Sequence, residues 1–79
     1  MIDYDELILE TKSKILVVSN DLKYFEDLYI HNYILFMKSG NKNGRYLYYE
    51  NYRFFYDIYL DIRDKLQVLK SRLCRFIDL

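Results

Sequence analysis

The C-terminal stretch, residues 46–79, constrains the fold more than any other part of the chain. It contains neither glycine nor proline. Its large apolar residues recur at steps of three and four, at Phe55, Ile58, Ile62, Leu66, Leu69, Leu73 and Phe76. Such steps follow the 3.6-residue period of a helix and not the two-residue period of a strand. The sequence therefore predicts one long amphipathic helix against which the rest of the chain packs.

The N-terminal half contains two further candidate helices. Residues 3–18 open with Asp3, Asp5 and Glu6, which favour a helix N-terminus because its free N–H groups carry partial positive charge. The capping and turn residues 19–21 predict a break. Beyond them, apolar residues continue at helical steps to Phe36. Two segments leave a strand open as an alternative: 15–18, because it is β-rich, and 28–37, because a helix apolar nearly all round needs cover on several sides.

Residues 39–44 form the one clear loop and contain both glycines of the chain. Gly40 suits the left-handed conformation that ends a helix. We predict an all-α fold, a three-helix arrangement around the long C-terminal helix, as a single domain spanning residues 1–79. The alternative is an α+β fold with a β-hairpin at about 33–49 packed on the C-terminal helix. The absence of proline and the confinement of glycine to one loop favour helices.

Composition points to a surplus of aromatic surface. The chain has 79 residues, of which 52% are hydrophobic, and ten are tyrosines. So short a chain has little interior, so many of these rings are expected to lie against a partner or a second copy. A single cysteine and no signal-peptide pattern indicate a reducing, cytoplasmic setting. The most apolar window is about ten residues long, whereas a membrane-spanning helix needs about 20, so no membrane association is expected.

Charge is balanced overall but divided between the two halves. Residues 1–40 contain seven acids against four lysines, a net charge of −3, and residues 41–79 contain eight bases against five acids, a net charge of +3. Opposite charges favour packing of the two halves against each other. The zero net charge gives no overall field that would attract nucleic acid or a membrane.

Three small groups of residues raise the question of catalysis or metal binding. The three carboxylates of Asp57, Asp61 and Asp64 share a helical face but lack further ligands for a hard cation. His31 follows Asp27 by one helical turn, with no nucleophile nearby in sequence. Cys74 has basic neighbours but no second cysteine. We therefore expect no enzymatic activity, no catalytic residues, no cofactor and no metal, and the chain resembles no protein family that we can identify.

The run 45–56 combines seven aromatic residues with two arginines, a mixture found at protein interfaces and on surfaces that bind single-stranded nucleic acid. We predict a non-enzymatic protein–protein interaction protein. The small size and composition suggest a phage or mobile-element inhibitor that blocks a host nucleic-acid-processing or defence complex, in the manner of an anti-CRISPR protein, and a homo-oligomer is compatible with this. The alternative is a small nucleic-acid-binding module that uses the basic C-terminal helix and the aromatic residues. The predicted protein-binding residues are Tyr46, Tyr48, Tyr49, Tyr52, Arg53, Tyr56, Leu60, Lys70, Arg72 and Arg75.

Overall fold

The computed structural model describes residues 3–40 and 44–78, which form two long helices, α1 (Tyr4–Lys38) and α2 (Arg45–Asp78). Over these residues the chain is all-α, as predicted, but the three-helix arrangement is wrong. The alternative hairpin at 33–49 is wrong too, because residues 33–38 and 45–49 are helical. Residues 41–43 of the predicted loop, and Leu79 at the end of the predicted C-terminal helix, lie outside the described residues.

The predicted break at residues 19–21 does not occur, and α1 runs through it. Asn20 and Asp21 are exposed and Ser19 is half-buried, so these residues continue the helix at the modest cost of their low helix propensity. None of them is the glycine or proline that would interrupt a helix. The segments 15–18 and 28–37, for which a strand was an alternative, are likewise helical.

The start of α1 is capped as its acids predict. The Asp3 carboxylate accepts hydrogen bonds from the backbone N–H groups of Asp5 (3.1 Å) and Glu6 (3.3 Å), which satisfies two of the free donors of the first turn. At the other end the Ser39 N–H donates to the Leu35 carbonyl (3.0 Å). Gly40 follows with φ +56°, which confirms the left-handed position that we predicted for it.

The two helices lie antiparallel along a common seam. Tyr4 near the start of α1 contacts Phe76 near the end of α2, and Phe36 near the end of α1 contacts Tyr49 near the start of α2. The resulting helical hairpin is a rod of 62 × 15 × 14 Å. Neither described helix contains a stretch that is apolar and long enough to cross a membrane.

Both sides of the seam follow an unbroken seven-residue repeat. In α1 it contains Ile8, Ile15, Leu22, Tyr29 and Phe36 at position a, and Thr11, Val18, Phe25, Asn32 and Ser39 at position d. In α2 it contains Arg45, Tyr52, Tyr59, Leu66 and Leu73 at a, and Tyr48, Phe55, Ile62, Leu69 and Phe76 at d. Every one of these residues is buried or half-buried. This spacing is typical of paired helices that pack side chains of one into gaps of the other.

The seam is thin, and part of it is polar. Leu66 is the one described hydrophobic residue that is buried, at 6% exposure. The buried polar residues Thr11, Asn32 and Ser39 donate hydrogen bonds to carbonyls of their own helix, at Leu7, Leu28 and Phe36. Two helices alone therefore bury little apolar surface, and much of the apolar surface that stays exposed lies on the flanks of the seam.

Candidate protein interface

Six tyrosines of the seam and its flank form one connected cluster toward the loop end of the hairpin. Tyr29 contacts Tyr52, Tyr56 and Tyr59, with ring centroids 5.0–6.1 Å apart. Further ring contacts link Tyr52 to Tyr33, Tyr49 and Tyr56. Aromatic pairs at these distances stabilise their mutual arrangement beyond the area that they bury. The cluster is therefore a rigid set of rings that spans both helices.

One flank of the seam carries this cluster to the surface, and we call it the tyrosine face. Its residues occupy positions e and b of the repeat, which lie beside a in both helices. Among them, Tyr46 is 73% exposed, Met37 is 60% exposed, and Tyr33 and Tyr49 are exposed to a smaller extent. At the loop end the tyrosine face consists of Ile30, Tyr33, Met37, Tyr46, Tyr49, Arg53, Tyr56 and Leu60.

Two of the tyrosines on this side have perturbed acidity. Burial, followed by the neighbouring Tyr59 and Glu26, raises the pKa of the Tyr29 phenol. A hydrogen bond to Glu50, followed by the negative charge of that carboxylate, raises the pKa of the exposed Tyr46 phenol. Both phenols are therefore neutral at ordinary pH, when their hydroxyl groups can donate as well as accept hydrogen bonds.

The guanidinium of Arg45 closes the loop end of the seam. It lies over the Phe36 ring, 4.4 Å from the ring centroid, a distance at which a cation is attracted by the negative face of the ring. Its Nε is buried without a hydrogen-bond partner in the described chain. The aromatic contact thus replaces part of the hydration that this end of the side chain loses.

The structure separates the predicted binding residues into three groups. Tyr46, Tyr49, Arg53, Tyr56 and Leu60 lie together on the tyrosine face, and Lys70 lies on the same side but toward the chain termini. Tyr48 and Tyr52 are half-buried in the seam. Arg72 and Arg75 lie on the opposite flank, where both line a shallow groove. The predicted set thus includes the α2 side of the tyrosine face, but it also contains two residues of the seam and two of the opposite flank.

The contribution of α1 to this face was missed. Leu9, Leu16, Ile30 and Met37 are all exposed and recur at multiples of seven residues. These four residues form a second apolar stripe at position b, beside the seam rather than in it. The seven-residue spacing of this stripe is the sequence signal that could have revealed the contribution of α1.

Aromatic and basic side chains do not form one nucleic-acid platform. The tyrosine rings pack mainly against each other toward the loop end, whereas Arg63, Lys65, Lys70, Arg72 and Arg75 are exposed toward the other end of α2. Stacking of bases requires free ring faces beside a basic groove. Apart from Arg53 on the tyrosine face, the exposed basic side chains of α2 lie away from the ring cluster, which favours a protein partner for this face.

The exposed surface of the hairpin is large for its mass. Its accessible area is 6350 Å², whereas a compact monomer of 9.8 kDa exposes about 5,200 Å² by the usual scaling. The difference, about 1,100 Å², approaches the area that a stable protein interface buries in total. Much of the excess comes from the flanks of the seam, because a rod of two helices has no third layer to cover them.

In the described part of the chain, no three histidine, cysteine or acidic side chains come together as a metal-binding group. Comparison with protein-family models, with characterised proteins and with solved structures found no match to the chain. The function must therefore be inferred from the exposed surfaces of the hairpin.

Proposed function

We propose that this chain is a non-enzymatic interaction protein that binds another protein through the loop end of the tyrosine face. The observation that carries the proposal is the exposed, ring-rich surface built jointly by α1 and α2. Tyrosine and arginine are the residue types that contribute most at protein interfaces, and this face presents both. Tyr33, Tyr49 and Tyr56 of this face are already held by contacts with other rings, so binding costs them little conformational entropy.

In its specific form, the proposal makes the chain a phage or mobile-element inhibitor that covers a working surface of a host nucleic-acid-processing or defence complex. Support for this form comes from the size and composition of the chain. The rod shape also supports it, because one side is 62 Å long and can cover an extended site on a larger protein.

The test is affinity capture from a nuclease-treated host lysate with three versions of the immobilised chain. The first is unchanged, the second carries Met37→Asp with Tyr46→Asp, and the third carries Leu9→Asp. Leu9 is a matched control because it is as exposed as Met37 and lies on the same flank, but at the opposite end of the rod. All three should show the same helical circular dichroism, since exposed substitutions away from the seam change stability little.

We expect one or a few host proteins to be retained by the unchanged chain and by the Leu9 variant, and to be lost from the double variant. Retention should persist at high salt, because an aromatic interface is screened little by ions. Purified candidates would then be tested for loss of their own activity when the chain is added, which examines the inhibitor role. If all three versions retain the same proteins, the tyrosine face is not the binding surface.

The nucleic-acid alternative gives a different result in a gel-shift assay. Binding through phosphates weakens steeply as salt rises and should be abolished by changing Lys70, Arg72 and Arg75 to alanine. A short single-stranded oligonucleotide shifted at physiological salt, and released by that triple change, would overturn the proposed function.

A further inference from the structure

The flank opposite the tyrosine face has its own apolar surface, which we call the groove face. Its residues occupy positions g and c, beside d in both helices. The c positions of this face include Val17 and Tyr24 in α1 and Phe54 and Val68 in α2, all exposed. Tyr24 and Phe54 are joined across the seam by ring contacts through Phe25 and Phe55.

The two halves of the groove face differ in shape. Toward the loop, the rings of Tyr24 and Phe54 stand out at 61% and 62% exposure. Toward the chain termini, a groove of about 420 Å³ is lined by Val18, Val68 and their neighbours, and another of about 280 Å³ by Val17 and Val18. The face thus has two projecting rings on the loop side of its middle and two apolar grooves on the side of the chain termini.

A single two-fold axis across the middle of the rod brings each ring onto a groove of a second copy. Phe54 and Val68 are equidistant in sequence from Asp61, and Val17 and Tyr24 are equidistant from the boundary between residues 20 and 21. These two centres lie at about the same height on the rod, because Phe25 faces Phe55 and both helices rise about 1.5 Å per residue. One two-fold axis therefore places Tyr24 on Val17 of the second copy and, at the same time, Phe54 on Val68 of the second copy.

The same axis pairs basic residues at position g of the groove face with acidic residues at position f, which lies just outside the face along its outer edge. In α2 it brings Glu50 near Arg72 of the second copy and Asp57 near Lys65 of the second copy. In α1 it brings Lys14 near Asp27 of the second copy. Within the described residues, none of these six charged groups has an ion-pair partner within 4.0 Å except Lys14, which pairs with Glu10. An isologous interface must match itself in this way, and complementary rim charges fix its register.

The area is also adequate for a dimer. A face 62 Å long and about 15 Å wide projects to at most about 900 Å² on each copy, so a contact along most of its length reaches the size of stable interfaces, about 1,200–2,000 Å² in total. We propose that a second copy of this chain covers the groove face, with α1 antiparallel to α1 and α2 antiparallel to α2, as a four-helix bundle. This proposal does not rest on the tyrosine face, which stays free for a different partner.

Sedimentation equilibrium of the purified chain over a range of concentrations tests the proposal. We expect a reversible dimer of the 9.8 kDa chain. Phe54→Lys should weaken it at least about tenfold, because the new ammonium group enters the apolar groove at Val68 of the second copy, which Lys65 and Arg72 also line. Val68→Glu alone should weaken it too. The two changes together should restore much of the affinity, because each new lysine then meets a new glutamate.

Two controls make the assignment specific to this face and register. Leu16→Lys changes an equally exposed apolar residue on the tyrosine side and should leave the dimer unchanged. Asp61→Asn should strengthen the dimer several-fold, because two like charges meet at the axis. A chain that stays monomeric at the highest attainable concentration, or a dimer weakened by Leu16→Lys and not by Phe54→Lys, would overturn the proposal. Failure of the double change to restore affinity would reject this register.

Discussion

Replacing the buried Asn32 with leucine should stabilise the hairpin. Asn32 is 8% exposed and occupies a d position of the seam, where an apolar side chain normally packs. Its amide donates to the Leu28 carbonyl of its own helix at 2.9 Å. This hydrogen bond does not join the two helices.

The expected gain follows from three terms. Burying a leucine side chain contributes about 1.5–3 kcal/mol, and the better helix propensity of leucine adds several tenths of a kcal/mol. The lost side-chain hydrogen bond subtracts about 0.5–1.5 kcal/mol. The net increase in the free energy of unfolding is about 1–2 kcal/mol, which raises Tm by roughly 5–15 °C for a domain of this size.

Thermal unfolding followed by circular dichroism at 222 nm measures this change. Asn20→Leu is the matched control, because Asn20 is exposed on the same helix and gains helix propensity without burial. We expect Asn32→Leu to melt well above Asn20→Leu at equal protein concentration. If the Asn32 variant melts at or below the control, then position 32 does not behave as a packed seam position.

Three further predictions follow from single residues. Leu66→Ala should cost about 2–4 kcal/mol of unfolding free energy because it leaves a cavity in the seam, whereas Leu16→Ala, the same change at an exposed site, should cost less than about 1 kcal/mol. Urea titration compares the two variants, and equal costs would contradict the placement of Leu66. Gly40→Ala should cost about 1–2 kcal/mol in the same assay, for conformational reasons alone, because its φ is +56° and no atom lies within 4 Å of an added Cβ; an unchanged midpoint would show that this position tolerates a side chain. The pKa of Tyr29 is raised above its ordinary value of 10.0, first by burial. The stability that the neutral phenol contributes is therefore complete below pH 10 and is lost as pH rises through the higher pKa of the folded state. Between about pH 9 and 11, Tyr29→Phe should lose less stability than the unchanged chain in thermal melts, and equal losses would contradict this.

The period of the apolar residues was enough to predict helices, and the acids at residues 3–6 were enough to place the first one. The number of helices differs from the prediction, because the turn residues 19–21 do not break the helix. Those residues occupy positions e, f and g of the repeat, outside the seam, where polar side chains are ordinary. The repeat itself was hidden because Thr11, Asn32, Ser39 and Arg45 stand at seam positions that normally hold apolar residues.

The candidate interface was predicted in part for a similar reason. Tyr46, Tyr49 and Tyr56 were predicted from the aromatic run of α2 alone, which contains residues of the seam as well as residues of its flank. Met37 and Ile30 were not, because only the antiparallel pairing of α1 with α2 brings them beside those tyrosines.

Local sequence determined where this chain is helical, where α1 is capped and that a left-handed glycine follows it, since these features depend on residues a few positions apart. Tertiary structure decided which of its many rings lie in the seam and which lie on the two flanks. The physical reason is that burial depends on what the opposite helix covers. Tyr52 and Tyr49 are chemically identical and three residues apart, yet one is half-buried in the seam and the other is exposed beside it.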